Sequence, residues 1–322
     1  MKTNTRRPRL EASFATKILL LLGGIALLAG AALVSPLPAV KTVKVNERIY
    51  ALLGPTELPN AHNGGYMVNS TLIIGDKGAI LVDTGFSDEI GAHIRKAAEK
   101  LTKLPITHVV NTHHHGDHSL GNTEFPGAEI ISSENCRKLM IDTGADWIAT
   151  AESMTGRKLP NTKAIPASRT YASQTRTAAE INGVKIEFWV PEAAHTRGDM
   201  LMWLPDDKVL IAGDVLVNTV TPAFRDAEVR HWVQTLADVQ RFPARTIIPG
   251  HGPLMTMQQA QTMHKQMAAF HAGVEKLYKA GGAEADVRRQ VNLKDWQKLK
   301  HFDEQMGGNI NRTWLEVEAE NF

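Results

Sequence analysis

Ile106-Thr107-His108-Val109-Val110 runs directly into Asn111-Thr112-His113-His114-His115-Gly116-Asp117-His118, and this junction decides how the chain is read. A short apolar, β-branched run is a strand signal, and here it stops where the pattern H-x-H-x-D-H begins. Three later junctions repeat the arrangement. His195 follows the apolar run 184–190, Asp214 follows 209–213, and His251 follows 246–250. Strands of one layered core can deliver all four ends to a single edge, so side chains far apart in sequence meet in one cluster. Imidazole and carboxylate donors without a thiolate suit a borderline cation such as zinc, and together with a water-derived oxygen they suffice for two ions. The spacing lets His113 and His115 reach one ion while Asp117 and His118 turn to a second. A mere surface tract of histidines would lack the other three junctions.

Outward from this block, residues 66–74 and 78–82 flank Gly75-Asp76-Lys77 and read as a hairpin. Ser87-Asp88-Glu89 opens a capped helix running to about Leu101, and Ser133 opens another after a strand at 129–131. The stretch 142–179, rich in Thr, Ser, Ala and Pro, reads as loop and broken helix. Strands resume at 184–190, 200–204 and 209–212, a helix at 227–242 leads to a strand at 246–248, and 258–279 and 286–322 are charged helical patterns. The chain thus divides into a leader at 1–40, a body at 41–255 and a helical C-terminal extension at 256–322.

Of the 322 residues, Lys and Arg number 36 against 34 Asp and Glu, which is too balanced for a protein that coats nucleic acid. The lone Cys136 excludes an intramolecular disulfide and any multi-cysteine zinc site, and reads as a small buried hydrophobe. Lys2, Arg6, Arg7, Arg9 and Lys17 precede an uncharged apolar run at 18–34. That order reads as an export signal or an N-terminal membrane anchor, placing the body outside the cytoplasm, in a periplasmic or other extracytoplasmic space. Contact with a membrane is expected through this segment alone.

Four stretches carry a family resemblance over about residues 49–253: Leu81-Val82-Asp83-Thr84-Gly85, the His113–His118 block, Gly213-Asp214 and Pro249-Gly250-His251-Gly252. With His195 they make the chain resemble the metallo-β-lactamase-fold hydrolases. The resemblance implies an αββα four-layer sandwich of α/β class, two sheets face to face with helices outside. It implies that His113, His115 and His195 hold a first Zn2+, that Asp117, His118 and His251 hold a second, and that Asp214 bridges them. Asp83 would order the ligand loops from behind rather than bind metal. Asp214 stands where the commonest β-lactamases of this fold place a cysteine, which favours the glyoxalase-II-like and lactonase-like branches. The segment 309–318 loosely resembles the tail of exported members associated with sulfur oxidation or quinoprotein systems.

The expected activity is hydrolysis of a small-molecule ester, thioester, lactone or amide by a metal-bound hydroxide, with Asp117 orienting the nucleophile or passing its proton to the leaving group. Three rivals share the ligand set: a mononuclear iron persulfide dioxygenase, a β-lactamase, and a metal-binding module without catalysis. Metal content of protein purified without added metal separates iron from zinc. Among the other histidines, His114 reads as a neighbour of the site or a surface residue, and His93, His108, His264, His271 and His301 as core-edge or solvated. His62 and His231 are candidate substrate contacts, and Arg197 reads as a surface charge with an anion clamp as its alternative. Trp189 and Trp203 lie on strands and belong to the core.

Overall fold

A period of two runs through the strands, and it sorts their side chains into layers. The computed structural model describes Met1 and residues 36–321 of the chain. Most of the expected leader therefore lies outside the described residues; among those described, no helix is long and apolar enough to cross a membrane.

Seven strands form one sheet in sequence order: β1 (Lys41–Lys44), β2 (Ile49–Leu53), β3 (Ser70–Ile74), β4 (Ala79–Val82), β5 (Ile106–Val110), β6 (Glu129–Ser133) and β7 (Arg169–Tyr171). Pairing is antiparallel as far as β4 and parallel from β4 to β7. The second sheet has the order β12 (Thr246–His251), β11 (Val209–Val217), β10 (Leu201–Leu204), β9 (Val184–Val190) and β8 (Thr175–Ile181). Only β11 and β12 are parallel in it.

Alternate residues of each strand face opposite layers. Ile80 and Val82 of β4 meet Phe188, Met202 and Ile211 between the sheets. Ala79 and Leu81 of the same strand turn outward to Ile90 and Ile94 of helix α1 (Asp88–Ala98). On the second sheet Trp189, Trp203 and Leu210 turn outward to Trp232 and Leu236 of α4 (Val229–Val239). The result is the αββα sandwich that the resemblance implied. Phe188 is fully buried between the sheets, and truncating it to Ala would cost about 3–5 kcal/mol.

The remaining α-helices among the described residues are α2 (Gly116–Ser119), α3 (Glu134–Thr155), α5 (Met257–Lys279), α6 (Val287–Gln290) and α7 (Phe302–Glu320). Phe270 of α5 and Met306 and Ile310 of α7 share one apolar cluster with Trp189 and Leu210 of the second sheet. The segment beyond 256 is thus built into the sandwich's outer layer.

Three readings are corrected. The stretch 142–179, expected as loop and broken helix, is loop only at 156–168 and 172–174: α3 continues unbroken to Thr155, capped by Ser133 Oγ at its start and by Gly156 at φ 66° at its end. Strands β7 and β8 then follow. Its buried positions Cys136, Met140, Gly144, Trp147, Ala151 and Thr155 keep helical spacing, but small and polar residues among them hide the apolar stripe. The hairpin strand starts at Ser70 rather than Tyr66, and Asp214 lies within β11 rather than after it.

The two sheets are tied where the ligand loops emerge. Met200 donates to Thr112 O at 2.8 Å across the sandwich. Asn69 donates its backbone N–H to Gly250 O at 2.8 Å, and its amide to Pro249 O and Gly252 O at 2.9 and 2.7 Å. Along β11 the register to β12 shifts on both sides of Gly213, which has φ 50°. This irregularity re-aims Asp214 at the site. A Cβ at Gly250 would overlap Oδ1 of Asp214, so only glycine lets β12 pass that carboxylate.

Candidate metal centre

Parallel strands fix where the donors arrive. The C-terminal ends of β4 and β5 lie side by side in one sheet, as do β11 and β12 in the other. Asp83 follows β4, the His113–His118 block follows β5, His195 follows β9, Asp214 sits on the irregular stretch of β11, and His251 ends β12. All seven expected ligands are brought together. Ligand atoms of His113, His115 and His195 lie within 4.8 Å of one another, and the same holds for Asp117, His118 and His251. Asp214 joins the two groups: its carboxylate is 3.5 Å from His195 Nε2 and 3.3 Å from both His118 Nε2 and His251 Nε2.

Counting ring nitrogens shows what the cluster presents. His195 Nδ1 faces Ala223 O at 3.1 Å and His251 Nδ1 faces Met67 O at 3.1 Å; a carbonyl only accepts, so both nitrogens carry protons. His115 Nε2 donates to Asp226 Oδ2 at 2.8 Å, and His118 Nδ1 to Asp83 Oδ2 at 2.8 Å. Thr112 gives its hydroxyl proton to Asp83 Oδ2 at 2.7 Å, so its oxygen accepts from His113 Nδ1 at 3.1 Å. Every histidine is thereby fixed with its second nitrogen turned inward. His195 Nε2 and His115 Nδ1 face each other at 3.0 Å with both outer nitrogens already protonated. In the neutral rings these are two lone pairs in opposition. His113 Nε2 and Asp214 Oδ1 are buried without any hydrogen-bond partner. Orphaned acceptors converging on one point are what a cation satisfies, and these donors fit one or two borderline divalent ions.

The two halves differ in charge. Burial and neighbouring imidazoles push His113 well below the usual histidine range and His195 down to about 3, so both stay neutral. Burial acts the same way on His118 and His251, but nearby carboxylates outweigh it. Asp117, Asp214 and Asp83 raise His118 well above the usual range, and Asp214 and Asp117 raise His251 to about 10. Asp117 and Asp214 are also buried, yet His118 and His251 hold both below the usual carboxylate range.

Behind the cluster, Asp83 adopts φ 58°, in the left-handed region that a non-glycine residue enters only under constraint. Its carboxylate takes Thr112 N–H at 2.8 Å, the Thr112 hydroxyl and His118 Nδ1, so one buried group orients the β5 loop and a ligand together. Asp199 does the same for the His195 loop, accepting from Thr196 N–H at 2.9 Å and the Thr196 hydroxyl at 2.7 Å.

The cluster floors a pocket of about 250 Å³ reached by His115, Asp117, His195, Asp214 and His251. Its walls come from residues 55–59, from Trp147 and Met154 of α3, from residues 220–223 and Arg225, and from His301 and Gln305 at the start of α7. Sequence reasoning missed Asp226, Asp199, Trp147 and Arg225. It placed His301 among bland residues, yet His301 lines the pocket and its Nε2 meets Thr56 O at 3.1 Å. Neither His62 nor His231 lines the pocket: His62 is exposed, and His231 pairs with Glu228 at 2.9 Å. Arg197 is an exposed partner of Glu228, as its surface reading expected. Of the two readings of His114, a neighbour of the site or a surface residue, the first holds: its ring is buried with its centroid 4.8 Å from that of His115, and burial pushes it down to about 3. Cys136 is fully buried, and burial pushes its thiol up to about 12.

Residues 63–251 match the family described as the metallo-beta-lactamase superfamily. The chain is 27% identical over 218 residues to a linear primary-alkylsulfatase of Pseudomonas sp. (strain ATCC 19151), covering 56% of this chain and 40% of that protein. It is 26% identical over 193 residues to a metallo-beta-lactamase type 2 of Bacillus cereus, covering 57% of this chain and 66% of that one. The matches thus span less than two thirds of these relatives' lengths. Among solved structures, a metallo-beta-lactamase from Pontibacter korlensis aligns with TM-score 0.56 and 21% identity over 71% of this chain and 99% of the other. A metallo-beta-lactamase from Hirschia baltica aligns with TM-score 0.56 and 19% identity, over 71% and 97%. At such identities the structural likeness establishes the fold.

Proposed function

Because this chain belongs to the metallo-beta-lactamase superfamily, whose named relatives are hydrolases, we propose that it is a dinuclear zinc hydrolase acting on an ester, thioester, lactone or amide. The observation that carries this reading is the set of inward lone pairs: His113 Nε2 without a partner and His115 Nδ1 opposed to His195 Nε2. His113, His115 and His195 would hold one cation, Asp117, His118 and His251 the other, and Asp214 both. When bound, such ions lower the pKa of water toward ~7 and polarise a carbonyl oxygen.

The chain supplies the rest. Asp117, at the floor of the pocket and 3.2 Å from His251 Nε2, orients the attacking water and moves its proton to the leaving group. Asp226 and Asp83 keep His115 and His118 in the tautomers that face inward. Phe86, Trp147 and Val220 wall the pocket with apolar surface that screens the reacting carbonyl from bulk water. The basic leader and apolar run support a site of action outside the cytoplasm, with a small molecule as substrate.

Protein purified without added metal is expected to carry two zinc ions per chain and to hydrolyse members of a panel of thioesters, lactones and β-lactams. His115→Ala and Asp214→Ala should lose metal and activity together. One equivalent of iron with oxygen consumption would overturn the reading in favour of the dioxygenase; variants that keep both metal and turnover would overturn the ligand assignment.

A further inference from the structure

Arg225 is the one lysine or arginine among the residues lining the metal-centre pocket. Its guanidinium carbon lies 4.4 Å from the centroid of the Trp147 ring, and that ring in turn lies 4.8 Å from the His115 imidazole. Trp147 is itself buried and packs against Phe86. The stack therefore holds a cation beside the floor of the pocket on a fixed support. Arg225 has one carboxylate neighbour among the described residues, Asp226, and that contact is long, 3.8 Å from Nε. Asp226 already spends its Oδ2 on His115 at 2.8 Å. The far edge of the guanidinium fork is left free, on a side chain that is 59% exposed. Leu58, Pro59, Met67, Phe86, Met154 and Val220 supply apolar surface around the same space.

From this arrangement we infer that Arg225 reads a carboxylate on the substrate, and that the substrate class is an amphiphilic acid: a scissile acyl group at the floor, an apolar chain along the walls, and a carboxylate paired with the guanidinium. The inference deepens the hydrolase reading and rests on it. Sequence gives no hint of it, because Arg225 sits beside an acidic residue and Trp147 lies on a helix far away in the chain.

The test compares two matched esters, 4-nitrophenyl hexanoate and mono-4-nitrophenyl adipate, which differ by the terminal carboxylate. Wild-type enzyme should prefer the adipate ester. Arg225→Met keeps an unbranched side chain over Trp147 without its charge, and should lower the adipate-to-hexanoate ratio of kcat/KM about 10- to 100-fold, mainly through KM. Arg225→Lys should restore part of the ratio. Zinc content should not change. Equal loss on both esters would make the residue a structural brace and overturn the inference, as would no wild-type preference. Calorimetric binding of adipic acid monoamide against hexanamide separates this from failure of the hydrolase reading. Without any ester turnover, binding weakened by Arg225→Met and partly restored by Arg225→Lys still supports the inference. Binding that ignores position 225 and vanishes when metal is removed overturns it.

Discussion

The floor of the pocket and its walls are held in different ways. On the floor, His113, His115, His118, His195 and His251 each have the outer ring nitrogen tied to a hydroxyl, carbonyl or carboxylate within 3.1 Å. On the walls, Met154 is 44% exposed, and Arg225 is held by a stacked ring and one long ion pair. Strand ends built into two sheets place the floor; a helix side, a helix start and two connections place the walls. The chemistry is thus over-determined and the recognition is not, which is how one sandwich can keep its reaction while its substrates change.

That contrast is tested first from behind the floor. Asp83 is buried and accepts three hydrogen bonds, whereas the Asp226 side chain is 40% exposed and holds His115 alone. Asp83→Ala should reduce kcat/KM about 100-fold and cost about 3 kcal/mol of stability, since it strips a buried network of its acceptor. Asp226→Ala should cost about 10-fold in activity with little change in unfolding midpoint. Chemical denaturation alongside steady-state kinetics checks both. If Asp226→Ala proved as destabilising as Asp83→Ala, the floor would be held by its bulk packing and not by these separate ties.

A smaller effect is expected at the walls. Gln305 lines the pocket from the first turn of α7, and Gln305→Ala should change KM by about two- to fivefold while the content of whatever metal the protein binds stays at its wild-type value. Loss of metal in that variant would mean that α7 helps assemble the floor, and the distinction between the two regions would fail.

The same division explains what could be read from the sequence. The apolar runs of β5, β9 and β12 stop at or shortly before His113, His195 and His251, so the strand signal and the chemical signal lie together there. Those junctions, with Asp214 after the run 209–213, pointed to the seven inward-facing residues, and the family resemblance implied the sandwich. Trp147 stayed hidden because α3 buries Gly144 and Thr155 at positions where a helix stripe normally shows large apolar residues. Gly144 is there because α3 lies close to Ala164. Strand β8 was missed because it is an edge strand with alternately exposed Arg176, Ala178 and Glu180. Asp226 and Arg225 have no sequence signature at all: their roles come from tertiary neighbours, His115 and Trp147, that lie far away along the chain.

The last test concerns pH, and it again separates floor from walls. Asp199 anchors the His195 loop through Thr196. Burial is the largest influence on its carboxyl and pushes it up to about 7, while the Thr196 hydrogen bonds pull the other way. In the unfolded chain the same group titrates near ~3.9. The folded state therefore holds this proton more tightly than the unfolded state does. Its contribution to stability is fully present below about pH 4 and is lost as pH rises toward about 7. Relative to Asp199→Asn, the wild-type protein should lose stability across that interval and then level off, whereas Gln305→Ala should track the wild type at every pH. Urea unfolding at pH 4.5, 6 and 8 measures the difference. A constant offset between wild type and Asp199→Asn would mean that the two Thr196 donors keep Asp199 ionised throughout, and that the His195 loop is pinned by charge at every pH in this range.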